Sequence, residues 1–353
     1  MNFDFDESQQ AISDLTQQIF EDKVTHEHLR SLTKSGKNFD RELWLSLAET
    51  GIVGATIHQE YHGAGLSFLG VTALLEKVGE YAAPIPALET IVTGAMPIQE
   101  FGTESQKAEF LPKIAAGELI ATTALIASDE VIVEEGRISG SFNFVSFGLE
   151  ADILLVPGAA GIFIVAKSET GVSTEPQETT TGYSQAALTM DNVDAQQLGA
   201  VSYEDFMTWL SLRIDSAICS IMAGACEASL NLASEYTKIR QQFDRAIATF
   251  QAVSQRAGDA YIDTEAVRLT SRQAAWRISA GLPAAQKVAI ARWWASEAGF
   301  RVVHASTHLH GGVGVDRDYP LHRYFLMARQ LELTMGNSEE QLVLLGDLIA
   351  KGT

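Results

Sequence analysis

Two arginines, Arg240 and Arg245, flank Phe243 in the segment Tyr236-Thr-Lys-Ile-Arg-Gln-Gln-Phe-Asp-Arg-Ala-Ile247, which ends a long helical pattern in an otherwise acidic chain. A guanidinium presents a charged fork of donors that matches the oxygens of a diphosphate, and the amide of Gln242 adds another donor. Phe243 is expected to be buried beside them. The same cations would also complement the dipole at a helix end, so this segment alone leaves both readings open. A second segment, His308-Leu-His-Gly-Gly-Val-Gly-Val-Asp316, has three glycines within four positions. Backbone without Cβ atoms can approach a ligand closely and offer amide donors to an anion or a ring. Such a run also simply stops a helix, and His308 and His310 are too few and too isolated to hold a metal.

Composition narrows what these segments can bind. The chain has 353 residues, 46% of them hydrophobic, enough to bury a large core. Its formal net charge of -20 argues against nucleic acid, because binding a polyanion rests on cationic contacts. The two cysteines, Cys219 and Cys226, lie among Ala, Ser and Gly in a helical pattern. They read as a packing face, not as a disulfide or metal framework, which fits a reducing cytoplasm. Near Met1 no cationic stretch precedes an apolar one, so no export signal is expected, and no apolar run of about 18 residues is expected to span a membrane.

Three blocks must position the two segments. Apolar residues recur at helical spacing over 7–22, 41–49, 68–81, 87–101 and 104–116, with capping boxes predicted at Asp6 with Gln9 and at Thr103 with Gln106. From 120 the texture changes to short β-branched runs at 120–127, 131–133, 137–146, 153–156, 162–167 and 186–190, separated by Gly, Pro and acidic turns. Long helical patterns then return over 205–240, 249–279, 284–308 and 319–350. The expectation is an α+β chain: a helical domain over 1–118, a small β-barrel domain over 119–203 and a four-helix bundle over 204–353.

Taken together, the two segments, Phe250-Gln251-Ala-Val and Tyr319-Pro320 resemble the carboxy-terminal FAD-binding elements of the acyl-CoA dehydrogenase family, in order and in spacing. Upstream, Gly51-Ile-Val-Gly-Ala, Glu60-Tyr-His-Gly-Ala-Gly-Leu-Ser67 and Phe101-Gly-Thr-Glu-Ser-Gln106 are similar to its amino-terminal helical domain, so the resemblance runs over nearly the whole chain. It implies a helical, β-barrel, helical architecture that oligomerises through the last bundle. In that family an arginine, the amide or hydroxyl residue after it and a Gly-rich turn reach FAD bound mainly by a neighbouring subunit. Matched residue by residue, these contacts fall on Arg240, Gln242, Phe243, Gln251, His308, Gly311 and Gly312, with Asn337 added from the last segment. His308 stands where a glutamine is usual.

The resemblance breaks where the chemistry is done. The family removes an α-proton from an acyl thioester while a hydride leaves the β-carbon, and the proton needs a carboxylate to accept it. In many members that base is a Glu just before a Gly late in the chain; here Leu331-Glu-Leu-Thr-Met-Gly-Asn-Ser-Glu339 places Met335 there. A thioether cannot take the proton. Other members carry the base on the first long helix of the last domain, which matches Ile214, one residue from Asp215. One helical step turns a side chain by about 100°, so Asp215 is a poor substitute, and Glu332 and Glu339 read as exposed helix charges. The loop that wraps flavin and thioester in the family is mostly missing between Ala124 and Asp129. Phe144-Val-Ser146 is similar to the family strand beside the flavin ring, although Phe144 equally suits a barrel core.

The implied protein is one half of an α2β2 heterotetramer. It resembles base-lacking subunits of bacterial dehydrogenases that act on steroid-derived CoA thioesters, with a catalytically complete related subunit as partner and an electron-transfer flavoprotein as acceptor. Two alternatives stay open: an active homotetramer using Asp215 or another acid, and a flavin-free structural subunit.

Overall fold

Side-chain caps fix where the first helices start. Asp6 accepts the Gln9 amide at 2.9 Å while the Gln9 side-chain oxygen accepts the Asp6 amide at 3.1 Å, and Thr103 with Gln106 repeats the arrangement, as expected from sequence. The computed structural model describes Phe3 and residues 5–334 and 336–352. In chain order its helices are α1 (Glu7–Lys23), α2 (His26–Lys34), α3 (Arg41–Glu49), α4 (Phe68–Tyr81), α5 (Met96–Phe101) and α6 (Glu104–Ala115). After eight strands, β1 (Ala121–Thr123), β2 (Ile132–Glu134), β3 (Arg137–Ser146), β4 (Ile153–Gly158), β5 (Gly161–Ala166), β6 (Val172–Pro176), β7 (Gln185–Asp194) and β8 (Gln196–Gln197), the long helix α7 (Tyr203–Ile239) begins. A hairpin of β9 (Gln241–Gln242) and β10 (Arg245–Ala246) leads to α8 (Gln251–Ser279), α9 (Ala285–His310), α10 (Leu321–Leu333) and α11 (Ser338–Lys351). The chain groups into two units, residues 1–30, 68–83 and 215–353 in one, 31–67 and 84–214 in the other.

In the first unit, glycine lets two helices cross backbone to backbone. A Cβ on Gly224 of α7 would fall 1.8 Å from the Glu76 carbonyl oxygen, and one on Gly79 of α4 would fall 1.9 Å from that of Ile221. Either Gly→Ala change would push the helices apart. Beside the crossing, Arg272 of α8 grips Glu76 with Nε at 3.0 Å and Nη2 at 2.9 Å. Cys219 and Cys226 are buried and unpaired, and burial lifts both thiols to about 12, as a packing face requires. Contrary to the sequence reading, α7 is long and apolar enough to cross a bilayer, yet 83% of its apolar window is buried within the protein. It is a core helix.

The second unit holds the expected β domain, built as two four-stranded sheets ordered β1-β4-β5-β8 and β2-β3-β7-β6. Ile120, Leu154, Val156 and Phe163 from the side of the first sheet meet Phe142, Leu188 and Met190 of the second in one apolar core. Strict alternation would put Phe142 and Phe144 on the same face. A register shift between Phe142 and Val145 and a left-handed Phe144, φ 52°, break it. Phe142 is therefore 1% exposed and Phe144 is 52% exposed, so Phe144 is not a core aromatic. The helical run expected over 87–101 is a π-helix, Ala87–Ala95, followed by α5. A longer hydrogen-bond step of this kind leaves the apolar spacing readable but shifts which side chains face inward.

Candidate functional site

The Arg240 segment is shaped by a tight hairpin. The Arg240 amide closes the last turn of α7 on the Tyr236 carbonyl at 2.8 Å, and the Ile247 amide returns to the Arg240 carbonyl at 2.8 Å. Between them β9 and β10 pair through a two-residue turn whose residues, Phe243 at φ 53° and Asp244 at φ 59°, are both left-handed. A bulky residue is strained there, and the turn throws its ring outward. Phe243 is 86% exposed, which overturns its expected burial. Its ring meets Phe250 edge-on, at 6.2 Å, while the Arg245 guanidinium sits 4.0 Å over the Phe250 ring. Arg240, Gln242 and Gln251 are also exposed, and among the described residues no carboxylate pairs with Arg240. These cations are available to an anion from outside the chain.

The glycine segment lies at the other end of one aromatic stack. His310, the last residue of α9, is buried and stacks on Tyr236 at 4.5 Å with 25° between the rings. Gly311 follows at φ 62°, and around a Cβ placed on Gly311 or Gly312 nothing lies within 4 Å. Gly314 differs, since a Cβ there would lie 2.6 Å from the Thr307 carbonyl oxygen. Gly311 and Gly312 thus leave an open, bare stretch of main chain, and Gly314 is required by packing. His308 is exposed and lines a groove of about 940 Å³ along α8 and α9, with Val253, Arg256, Asp259, Phe300 and His304. Arg256 and His304 were not picked out from sequence. Their signal was helical spacing, since residues one turn apart share a face and His304 lies one turn before His308.

Of the carboxylates near the expected base positions, Asp215 and Glu332 are each paired with an arginine. Met335 lies outside the described residues. On either side of it the turn is held by Arg292, which is 0% exposed. Its Nη2 donates to the carbonyls of Leu331 at 2.8 Å, Gly336 at 3.2 Å and Thr334, its Nη1 to Ser296 Oγ at 3.1 Å, and its Nε to Asp215 at 3.2 Å. Asp215 is the counter-ion of this clamp. Burial lifts its carboxyl to about 6 and Arg292 opposes the rise. Glu332 pairs with Arg329, and Glu339 is exposed in the first turn of α11.

Asn337, expected at the cofactor, caps a helix. Its Oδ1 accepts the amides of Glu339 at 3.0 Å and Glu340 at 3.1 Å, and the Glu340 carboxylate accepts the Asn337 amide at 2.9 Å. This capping box splits the single helix expected over 319–350 into α10 and α11. One carboxyl was missed altogether. Glu89, on the π-helix of the second unit, is raised to about 7 by burial, with the Glu150 charge adding to the rise. A lone acid inside the apolar run Ala87–Ala95 was its only sequence signal.

The chain resembles known proteins over nearly its whole length. The model of the acyl-CoA dehydrogenase N-terminal domain matches residues 6–118, and that of the acyl-CoA dehydrogenase C-terminal domain matches residues 215–349. The chain is 35% identical over 370 residues to acyl-CoA dehydrogenase FadE27 of Mycobacterium tuberculosis, covering 99% of each. Among solved structures, a chain of the ChsE4-ChsE5 complex from Mycobacterium tuberculosis matches with a TM-score of 0.94 at 36% identity over 99% of each chain. A chain of the Tcur3481-Tcur3483 steroid ACAD matches with a TM-score of 0.91 at 35% identity over 98% of each.

Proposed function

The chain belongs to the acyl-CoA dehydrogenase family, oxidoreductases that act on CH–CH bonds, and from that premise we propose that it is the base-lacking subunit of a heteromeric dehydrogenase. One observation carries the reading: at the base positions Met335 has no proton-accepting group, and Asp215 is bound into a buried clamp by Arg292. A related partner subunit then supplies the carboxylate that takes the α-proton. Two relatives of this chain were solved as two-protein complexes, one of them named a steroid ACAD, which supports a heteromeric assembly and a bulky, steroid-derived acyl-CoA.

The residues present fit FAD. Arg240 is an exposed guanidinium with no carboxylate paired to it among the described residues, and Gly311 and Gly312 are exposed main chain where no Cβ intrudes. When bound, FAD supplies the acceptor for the hydride leaving the substrate. This chain's part is to hold it: Arg240 and Gln242 donate to the diphosphate, Gln251 and His308 offer polar contacts, and the Gly311–Gly312 main chain lies against the cofactor. Phe243, with Ile239 at 76% and Val315 at 73% exposure, leaves apolar side chains in the open on the same two segments, which suits coverage by a partner subunit. In the α2β2 assembly each such grip serves the partner's flavin, and an electron-transfer flavoprotein, another cytoplasmic protein, takes the electrons onward.

The test is Arg240→Ala in the co-purified complex. Loss of a charge-assisted phosphate contact, about 1.5–3 kcal/mol, should weaken FAD binding roughly tenfold or more. Unchanged flavin content would favour a purely structural subunit.

A further inference from the structure

His310 has a job that neither ligand contact nor core filling explains. Its ring is 3% exposed, yet both nitrogens are bonded and the face is stacked, so three elements meet on one side chain. Nδ1 lies 2.8 Å from the Ser306 carbonyl oxygen, and a carbonyl can only accept, so Nδ1 carries the hydrogen. In the neutral ring Nε2 then accepts the Tyr319 hydroxyl at 3.1 Å. The face stacks on Tyr236, one helical turn before Arg240, and the next residue in the chain is Gly311. Tyr236 belongs to α7 and Tyr319 directly precedes Pro320, the N-cap of α10. The imidazole therefore ties the end of α7, the end of α9 and the start of α10 together.

We infer that His310 is a positioning residue for diphosphate binding: its neutral imidazole fixes the spacing between the Arg240 guanidinium and the bare main chain at Gly311 and Gly312. This rests on the reading of that face as a grip for the FAD diphosphate. The physical need is clear from Gly311. A glycine at φ 62° with open space around it has no side chain of its own to pack, and its amide is tied back to the His308 carbonyl oxygen, so the direction in which the main chain leaves the helix depends on how the last turn around His310 is held. Phenylalanine would keep a flat ring in the stack, but it would lose both polar bonds. Those bonds, from two different elements, set the tilt of the ring and with it the direction of the turn.

The experiment measures FAD binding to the deflavinated complex of this chain with its partner subunit, by flavin fluorescence quenching, alongside the melting temperature of the same preparations. Tyr319→Phe removes one oxygen and should raise the FAD dissociation constant about fivefold, and His310→Phe should raise it roughly tenfold or more. In both, the melting temperature of the flavin-free complex should move by no more than about 3 °C. Arg240→Ala runs in parallel to separate the two ideas. If Arg240→Ala weakens FAD and both other variants bind it as wild type does, the positioning role is wrong and the grip stands. If Arg240→Ala has no effect either, the grip itself is wrong. A loss of affinity that appears only with a large drop in melting temperature assigns His310 a structural role and also overturns the inference. Should His310→Phe fail to fold, Tyr319→Phe decides alone.

Discussion

Replacing Asp215 by Asn tests how the buried clamp is balanced. In the folded chain burial raises this carboxyl from 3.8 to about 6, even though Arg292 pulls it down. The folded state therefore holds the proton more tightly than the unfolded state does. The stabilisation that comes with that proton is complete below about pH 3.8 and is lost as the pH rises through about 6. At ~1.4 kcal/mol per pKa unit, the wild-type chain should gain about 2 kcal/mol from this group between about pH 7.5 and about pH 4.5. The amide that Asp215→Asn introduces is neutral throughout and gains nothing. Urea unfolding of both proteins at the two pH values gives the difference directly, since the other titrating groups cancel. We expect the margin of wild type over Asp215→Asn to grow by about 2 kcal/mol on acidification. A margin that stays flat or shrinks would mean that the attraction of Arg292 outweighs burial, and the clamp would then be a conventional stabilising ion pair.

Three further outcomes follow from the same geometry. In the assembled complex, Asp215→Asn and Glu89→Gln should each turn over acyl-CoA within about threefold of wild type, whereas loss of a true general base costs about 10²–10⁴-fold; a loss of that size in either would revive an active site with a relocated acid. Phe243→Ser should leave the unfolding free energy of the isolated chain within about 0.5 kcal/mol, because the ring is exposed there. The same change should weaken subunit association about tenfold, measured by sedimentation of the mixed subunits, as expected for an aromatic that a partner buries.

What could be read in the sequence was what local chemistry encodes. The capping boxes at Asp6 and Thr103 formed because each involves residues three apart. Arg240, Gln242, Gln251, His308, Gly311 and Gly312 came out exposed on the segments singled out by charge and glycine content. Phe243 did not come out buried, because a two-residue turn decided its direction and its apolar character did not. The break between α10 and α11 was written in Gly336, at φ 103°, followed by the Asn337 cap, but continuous apolar spacing masked it. Arg292 was out of reach. Its acceptors are main-chain carbonyls some forty residues further on, and an arginine in an alanine-rich helix ordinarily faces water.

The most direct measurement is flavin stoichiometry in the complex formed when this chain is co-expressed with a related, catalytically complete acyl-CoA dehydrogenase subunit. If this subunit grips a cofactor whose proton-accepting carboxylate belongs to the other chain, the purified complex will hold one FAD for each pair of subunits. One FAD for every chain would contradict that division of labour.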